Sequence, residues 1–136
     1  MPAKMKYGFL CDGAMRVHGK FTYQGVFDRI QSPQFPAGAQ EACLCFKFTG
    51  PVGPHILRIQ LVDSQGSLIA KEQRRPIECR EFVDNEIVIT FKPLILPKPG
   101  FYAFRIFLDD EVAPIGEIDI QGFQMVPPEK ADVGDA

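Results

Sequence analysis

Residues 101–121, FYAFRIFLDDEVAPIGEIDIQ, contain two apolar segments separated by an acidic turn, and this stretch decides the fold class. In residues 101–108, a large apolar side chain occupies every second position, so these side chains lie on one face of a strand. In residues 115–121, Ile118 and Ile120 alternate with Glu117 and Asp119. A period of two residues is typical of a β-strand with a buried face. Residues 109–111, Asp-Asp-Glu, predict a tight turn, so the stretch predicts two antiparallel strands.

Similar short segments recur along the chain, and Gly, Pro, Asp or Asn interrupts them about every 8–12 residues, as in sandwiches and barrels. No window has the 3.6-residue apolar stripe of an amphipathic helix. The predicted strands are residues 6–11, 20–30, 41–49, 56–63, 67–74, 86–92, 101–108 and 115–121. We therefore predict an all-β fold, specifically an antiparallel two-sheet immunoglobulin-like β-sandwich of seven to nine strands.

The length of 136 residues is a common size for one domain and too short for two ordinary ones. Residues 1–126 are predicted to form the β-sandwich domain. Residues 127–136 contain two prolines and three acidic residues and are predicted to be a polar, disordered tail.

The charge balance excludes some partners. The formal net charge is −2 and the sequence pI is about 5.7, with no long basic run, so no nucleic-acid partner is expected. No segment reaches the roughly 18–20 apolar residues of a membrane span, and none resembles a secretory signal. We expect a cytoplasmic protein without membrane contact, in which the four cysteines are free thiols.

The first third of the chain resembles a known family in several short motifs. They are Leu10-Cys11-Asp12, Gly19-Lys20, Gly25-Val26-Phe27-Asp28 and Phe35-Pro36. A looser likeness continues through Leu61-Val62-Asp63 and Pro99-Gly100-Phe101-Tyr102 to Gly116-Glu117. The family consists of short bacterial single-domain β-sandwich proteins of unknown function. The resemblance implies a bacterial, cytosolic β-sandwich and supplies no catalytic residue.

The strand at residues 101–108 carries the first candidate site, because both of its faces are largely apolar. Only one face of a sheet is buried in a two-layer sandwich. Phe101, Arg105 and Phe107 are therefore predicted to form an exposed patch that contacts a partner protein or a second copy, since aromatic residues and arginine are enriched in interfaces. The alternative is that this strand is central and that the tail or a loop covers it.

The loops give a second candidate site. If consecutive strands are antiparallel, one end of the domain collects a group of polar and charged residues, and function on sandwiches usually lies on such loops. The members of this predicted loop end are Asp12, Arg16, His18, His55, Arg75, Arg80, Asp109 and Asp110.

Three classes of function stay open at this point. The first is a non-catalytic cytoplasmic protein-interaction module, with homodimerisation as an expectation. The second is a small-ligand module that binds calcium, lipid or carbohydrate around Asp12, Asp109 and Asp110, because Ca²⁺ requires several oxygen ligands. The third is a metal-dependent enzyme that uses His18, His55 and a cysteine. No catalytic motif is recognisable, so we expect no enzyme, no cofactor and no bound metal.

Overall fold

The computed structural model describes residues 3–125, which form eleven β-strands and no helix. The all-β prediction is therefore confirmed. The strands are β1 Lys4–Val17, β2 Lys20–Phe27, β3 Arg29–Ser32, β4 Ala37–Ala39, β5 Ala42–Thr49, β6 Gly53–Asp63, β7 Gln73–Cys79, β8 Asn85–Phe91, β9 Leu94–Leu96, β10 Gly100–Leu108 and β11 Gly116–Gln124. The predicted tail at 127–136 lies outside the described residues.

The strands form three sheets, where two were predicted. The four-stranded sheet has the order β2-β1-β5-β8, the five-stranded sheet has the order β3-β11-β10-β6-β7, and β4 pairs with β9. Neighbouring strands are antiparallel except for β3 and β11, which are parallel. The prediction of a purely antiparallel fold is corrected at this pair.

The two larger sheets share one hydrophobic core. In β10 the side chains of Tyr102, Phe104, Ile106 and Leu108 are buried, as the alternation predicts. The four-stranded sheet supplies the side chains that they meet, and the Phe104 ring lies 5.4 Å from the ring of Phe91 between centroids. Burial of these apolar faces is the main favourable contribution to folding.

The N-terminal hairpin differs from the prediction. β1 continues through the predicted loop at 12–19 to Val17, and the chain reverses in the two residues His18 and Gly19. Both have positive φ, 50° and 75°, as this kind of two-residue hairpin turn requires. The polar side chains in this segment resemble those of a loop, but here they extend a strand pair.

The predicted second strand, residues 20–30, is two strands in different sheets. β2 pairs with β1 in the four-stranded sheet, and after Asp28 the chain reverses direction into β3 at the edge of the five-stranded sheet. This additional reversal places the hairpin turn after β1 at the end of the domain opposite to the turn after β10.

The predicted strand at 67–74 is displaced towards the C-terminus. Asp63 closes the preceding turn, because its Oδ1 accepts hydrogen bonds from the backbone N–H groups of Gln65 and Ser67. Beyond a single bridge between Leu68 and Val62, pairing with β6 resumes only at Gln73. The short strands β4 and β9 lie in segments that were predicted to be connections.

Substitutions on the two faces of β10 are expected to differ in their effect on stability. Phe104→Ala should lower the free energy of unfolding by about 3–5 kcal/mol, because Phe104 is 0% exposed and leaves a cavity. Phe101→Ala on the same strand should change it by about 0.5 kcal/mol or less, because that ring is 66% exposed. Urea unfolding of both variants checks this, and equal losses would contradict the assignment of faces.

Candidate functional site

The structure does not bring the predicted loop end together. Asp12, Arg16 and His18 lie on the β1–β2 hairpin, whereas the opposite end of β1, at Lys4, pairs with Thr49. The other members lie near that opposite end or along β7: His55, Arg75, Arg80, Asp109 and Asp110.

This separation corrects two alternatives. Asp12 is remote from Asp109 and Asp110, so the three carboxylates do not form one calcium site. His18 and His55 are also at opposite ends and do not form a shared metal site. In residues 3–125 no group of three or more His, Cys, Asp or Glu side chains is arranged to hold a metal ion.

His55 and Asp109 are the two predicted residues that do meet. His55 Nδ1 lies 2.6 Å from Asp109 Oδ2, and His55 Nε2 lies 2.7 Å from the carbonyl oxygen of Pro51. The second carboxylate oxygen of Asp109 accepts the backbone N–H of Ile56 at 2.9 Å. The pair therefore joins the segment after β5, the start of β6 and the turn after β10.

Both atoms that face the His55 ring are hydrogen-bond acceptors, so only the protonated imidazolium donates to both. The hydrogen bond with the Asp109 carboxylate raises the pKa of His55. The same hydrogen bond, donated by His55, lowers the pKa of Asp109. With both nitrogens engaged, His55 has no free lone pair for a metal or a substrate proton, and it acts as a structural link.

The outer face of the five-stranded sheet is a network of paired charges. Arg58 donates to the carbonyl oxygens of Asp109 at 2.6 Å and Glu111 at 2.8 Å, and to the carboxylate of Glu72 at 3.1 Å. Arg74 and Gln60 also donate to Glu72, at 2.9 Å and 2.8 Å. The hydrogen bond from Gln60, together with those from the two arginines, lowers the pKa of Glu72.

This network changes the interpretation of the predicted patch on β10. Phe107 is only 6% exposed, because the Arg58 guanidinium lies 4.6 Å above its ring, so the prediction that Phe107 is exposed is wrong. Arg105 Nε lies 3.1 Å from Glu117 Oε1 in an ion pair whose angle falls outside hydrogen-bond geometry. Of the three predicted residues, Phe101 alone presents a largely exposed ring.

The outer face of the four-stranded sheet carries a cysteine cluster, formed by Cys11, Cys43 and Cys45. All three are buried thiols, and the sulfur atoms of Cys11 and Cys45 lie 3.6 Å apart. Burial raises the pKa values of Cys11 and Cys45, which keeps them protonated. These three cysteines therefore behave as small buried apolar residues with free thiols.

Phe9 and Tyr23 pack against this cluster, and Tyr7 and Phe21 extend the set at its two ends. We call these four rings the aromatic row; in spatial order it consists of Tyr7, Phe9, Tyr23 and Phe21. Successive ring centroids are 5.9, 4.7 and 5.8 Å apart, with the middle pair edge to face. A cation lies over each end of the row: the Lys47 ammonium is 5.8 Å from the Tyr7 ring and the Arg16 guanidinium is 4.4 Å from the Phe21 ring. Tyr7 is exposed and the other three rings are half-buried.

Sequence reasoning missed the aromatic row because phenylalanine has no polar group and usually lies in the core. Strand alternation did indicate a shared face for Tyr7 and Phe9, and another for Phe21 and Tyr23. The missing information was that β1 extends to Val17. Because of this extension β2 pairs with β1, and the rings of β2 line up with those of β1 on one face of the sheet.

A family model covers residues 6–121 of the chain. The chain belongs to the DUF6941 family, a family of unknown function. The resemblance to an uncharacterised domain family is therefore confirmed. No curated protein matches the DUF6941 chain.

Among solved structures, one similar chain is the Pseudomonas fluorescens alkylpurine DNA glycosylase AlkC bound to DNA containing an abasic site analog. It is 12% identical, with a TM-score of 0.49, and the match covers 88% of the DUF6941 chain. The DUF6941 chain spans only 30% of that protein's length.

Within residues 3–125, the DUF6941 chain has no helix with the length and hydropathy needed to cross a membrane.

The His55–Asp109 pair predicts a defined pH dependence of stability. A histidine whose pKa is raised by folding stabilises the native state fully below its unfolded pKa of about 6.5, and this contribution is lost as the pH rises through the folded pKa. The difference in unfolding free energy between the native chain and His55→Gln should thus be largest near pH 5–6 and should shrink towards pH 9. Its size should be about 1 kcal/mol or less, because Asp109 is partly exposed and water weakens the interaction.

Urea unfolding at several pH values measures this difference, and His18→Gln, at the hairpin tip, is the matched control. Below about pH 4 the difference should also fall, because protonation of Asp109 removes its charge. A difference that grows from pH 6 to pH 9 would contradict the assignment of an imidazolium.

The buried thiols predict slow chemical labelling. The native chain should react with Ellman's reagent far more slowly than the urea-unfolded chain, in which four thiols should react, because burial both blocks access and raises the pKa of Cys11, Cys45 and Cys79. Phe9→Ala removes part of the cover and should accelerate labelling. Rapid labelling of the native chain would show that the cluster is open.

Proposed function

We propose that this chain is a non-catalytic protein-interaction domain that contacts a partner protein through the aromatic row. The observation that carries this proposal is a continuous set of four rings on the solvent side of the four-stranded sheet. Aromatic side chains bring large contact area at a low cost in side-chain entropy, and they dominate the energetics of many interfaces.

The opposite outer face supports this choice by contrast. On the five-stranded sheet, Arg58, Glu72 and Arg105 already have oppositely charged partners within the chain. A protein that covered this face would have to remove water from these ions, which is unfavourable unless every charge is matched again. The four rings of the aromatic row carry no charge, and of the two cations at its ends only Lys47 has carboxylate partners within the described residues, Asp84 and Glu86.

The cations at its two ends indicate the chemistry of the partner. Lys47, over the Tyr7 ring, already lies 3.9 Å from Asp84 and 4.0 Å from Glu86, whereas Arg16, over the Phe21 ring, has only a carbonyl oxygen as a hydrogen-bond partner among residues 3–125. An acidic side chain of a partner that reached the Phe21 end would therefore meet the positive charge of Arg16. We therefore propose a partner with an apolar centre and acidic residues around it, since complementary charge at the rim favours association.

Two further proposals concern the setting. The shared core of the two larger sheets supports an immunoglobulin-like sandwich as the scaffold, with the β4–β9 ribbon and the parallel β3–β11 pair as departures from that pattern. Four cysteines that are all free thiols support a cytoplasmic location, where thiols are kept reduced.

The test is an affinity pull-down of the tagged chain from its own host, with quantitative mass spectrometry. The variant Tyr7→Ser/Phe21→Ser should lose a partner that the native chain retains, with binding weakened about 30-fold or more, since buried interface aromatics contribute about 2 kcal/mol or more. Phe101→Ser is the control, because it removes an exposed ring from the other sheet. Retention by the double variant, or loss with Phe101→Ser alone, would reject the aromatic row as the contact surface.

A further inference from the structure

Among the strands of residues 3–125, each large sheet has two edge strands, and the outer backbone groups of these strands have no strand neighbour. The edge strands are β2 and β8 in the four-stranded sheet and β3 and β7 in the five-stranded sheet. Proteins usually protect such edges with charges, prolines, bulges or short length, because an open edge pairs readily with another strand.

Three of the four edges carry such protection. β7 contains Arg74, Arg75 and Pro76 in succession. β2 is interrupted by Gly25, whose φ of 67° departs from strand geometry. β3 has only four residues and begins with an arginine.

β8 has almost none of these features. Its seven residues read NEIVITF, with one charge and with no proline, glycine or lysine. The residues that precede it add exposed apolar surface, because Phe82 is 97% exposed with a φ of 60° and Val83 is also exposed. Positive φ is uncommon for a bulky residue, so this turn holds the ring in solvent at a cost in backbone conformation.

From this comparison we infer that a second copy of the same chain occupies the β8 edge, with the two β8 strands antiparallel about a two-fold axis. This inference goes beyond the proposed function, because it uses the strand edge and leaves the aromatic row free for a partner. A dimer of this kind joins two four-stranded sheets into one, and a two-fold axis requires the strand to be complementary to itself.

The sequence of β8 meets that requirement in one register. When Val88 lies on the axis, all seven residues pair, and Ile87 lies opposite Ile89 of the second copy. Glu86 then lies opposite Thr90 of the second copy, so the one charged residue does not face its own equivalent. Like charges directly opposite each other would destabilise the pairing.

The side chain of Val88 gives a second reason for a self-pairing edge. Val88 is partly buried against the cysteine cluster on the outer face. In the dimer the two Val88 side chains meet at the axis, and the apolar surface of one cluster continues into the other. Contacts between β-branched side chains on paired strands stabilise a sheet.

The register defines a charge-exchange experiment on Thr90, which is exposed. Sedimentation velocity over a concentration series should show that the native chain dimerises. Thr90→Glu should raise the dissociation constant of the dimer about 5- to 30-fold, because each dimer contains the Glu–Glu contact twice. Thr90→Lys should leave the dimer intact or tighten it, and Glu86→Lys/Thr90→Glu should restore it.

Three outcomes would overturn the inference: a native chain that stays monomeric at the highest concentration, a dimer that Thr90→Glu does not weaken, or a double variant that does not recover. Thermal melts of each variant show that the fold is kept. The aromatic-row variant Tyr7→Ser/Phe21→Ser should remain a dimer. If this variant dissociates while Thr90→Glu stays dimeric, the two copies meet through the aromatic row, and the β8 edge is rejected as the dimer contact. The pull-down is repeated with Thr90→Glu. If this variant still captures the partner, the aromatic row binds the partner whether or not the dimer forms, so the two proposals are tested separately.

Discussion

The structure depends on the burial of one face of β5 and one face of β10, the strands that carry the core from the two large sheets. Leu44, Phe46 and Phe48 on β5 and Phe104 and Ile106 on β10 are fully or almost fully buried. Each of these strands has neighbours on both sides, so its backbone groups are satisfied within its own sheet. With the core faces fixed, each outer face is free to differ, and the two outer faces differ in chemistry.

The two outer faces differ in their main chemistry, with a network of paired charges on the five-stranded sheet and a row of aromatic rings on the four-stranded sheet. On the five-stranded sheet, Arg58 links a carboxylate, two carbonyl oxygens and the Phe107 ring, so that face holds its own charges in fixed pairs. On the four-stranded sheet, aromatic rings cover buried thiols, and an unprotected strand lies at the edge. Both proposed contacts, with a partner protein and with a second copy, therefore fall on one sheet and occupy different parts of it.

Much of the fold could be predicted from the sequence because strand alternation reports burial directly. The faces of β6 and β10 and the turn at Asp63 follow from this pattern and from turn chemistry. The reversal at Asp28 could not be predicted, because the residues on both sides of it have strand character and nothing local marks a change of sheet. That one reversal moved His18 to the end opposite His55, so an error of one strand in the topology dispersed the predicted loop end.

The candidate site was less predictable than the fold because it depends on pairing between distant segments. Sheet order decides which strand edge is free, which ring is covered and which thiols cluster together. The periodicity of the residues shows which face of a strand is buried, but it does not show sheet order. Phe107 shows this limit: its position on the outer face was predicted correctly, but the arginine that covers it comes from β6.

The most direct test of the central claim is hydrogen–deuterium exchange of the full chain, alone and with the captured partner, at a concentration that holds the oligomeric state constant. The account predicts new protection in residues 4–27, which carry most of the outer face of the four-stranded sheet, and little change in residues 100–124. New protection confined to residues 100–124 would contradict it and would move the contact surface to the charged face.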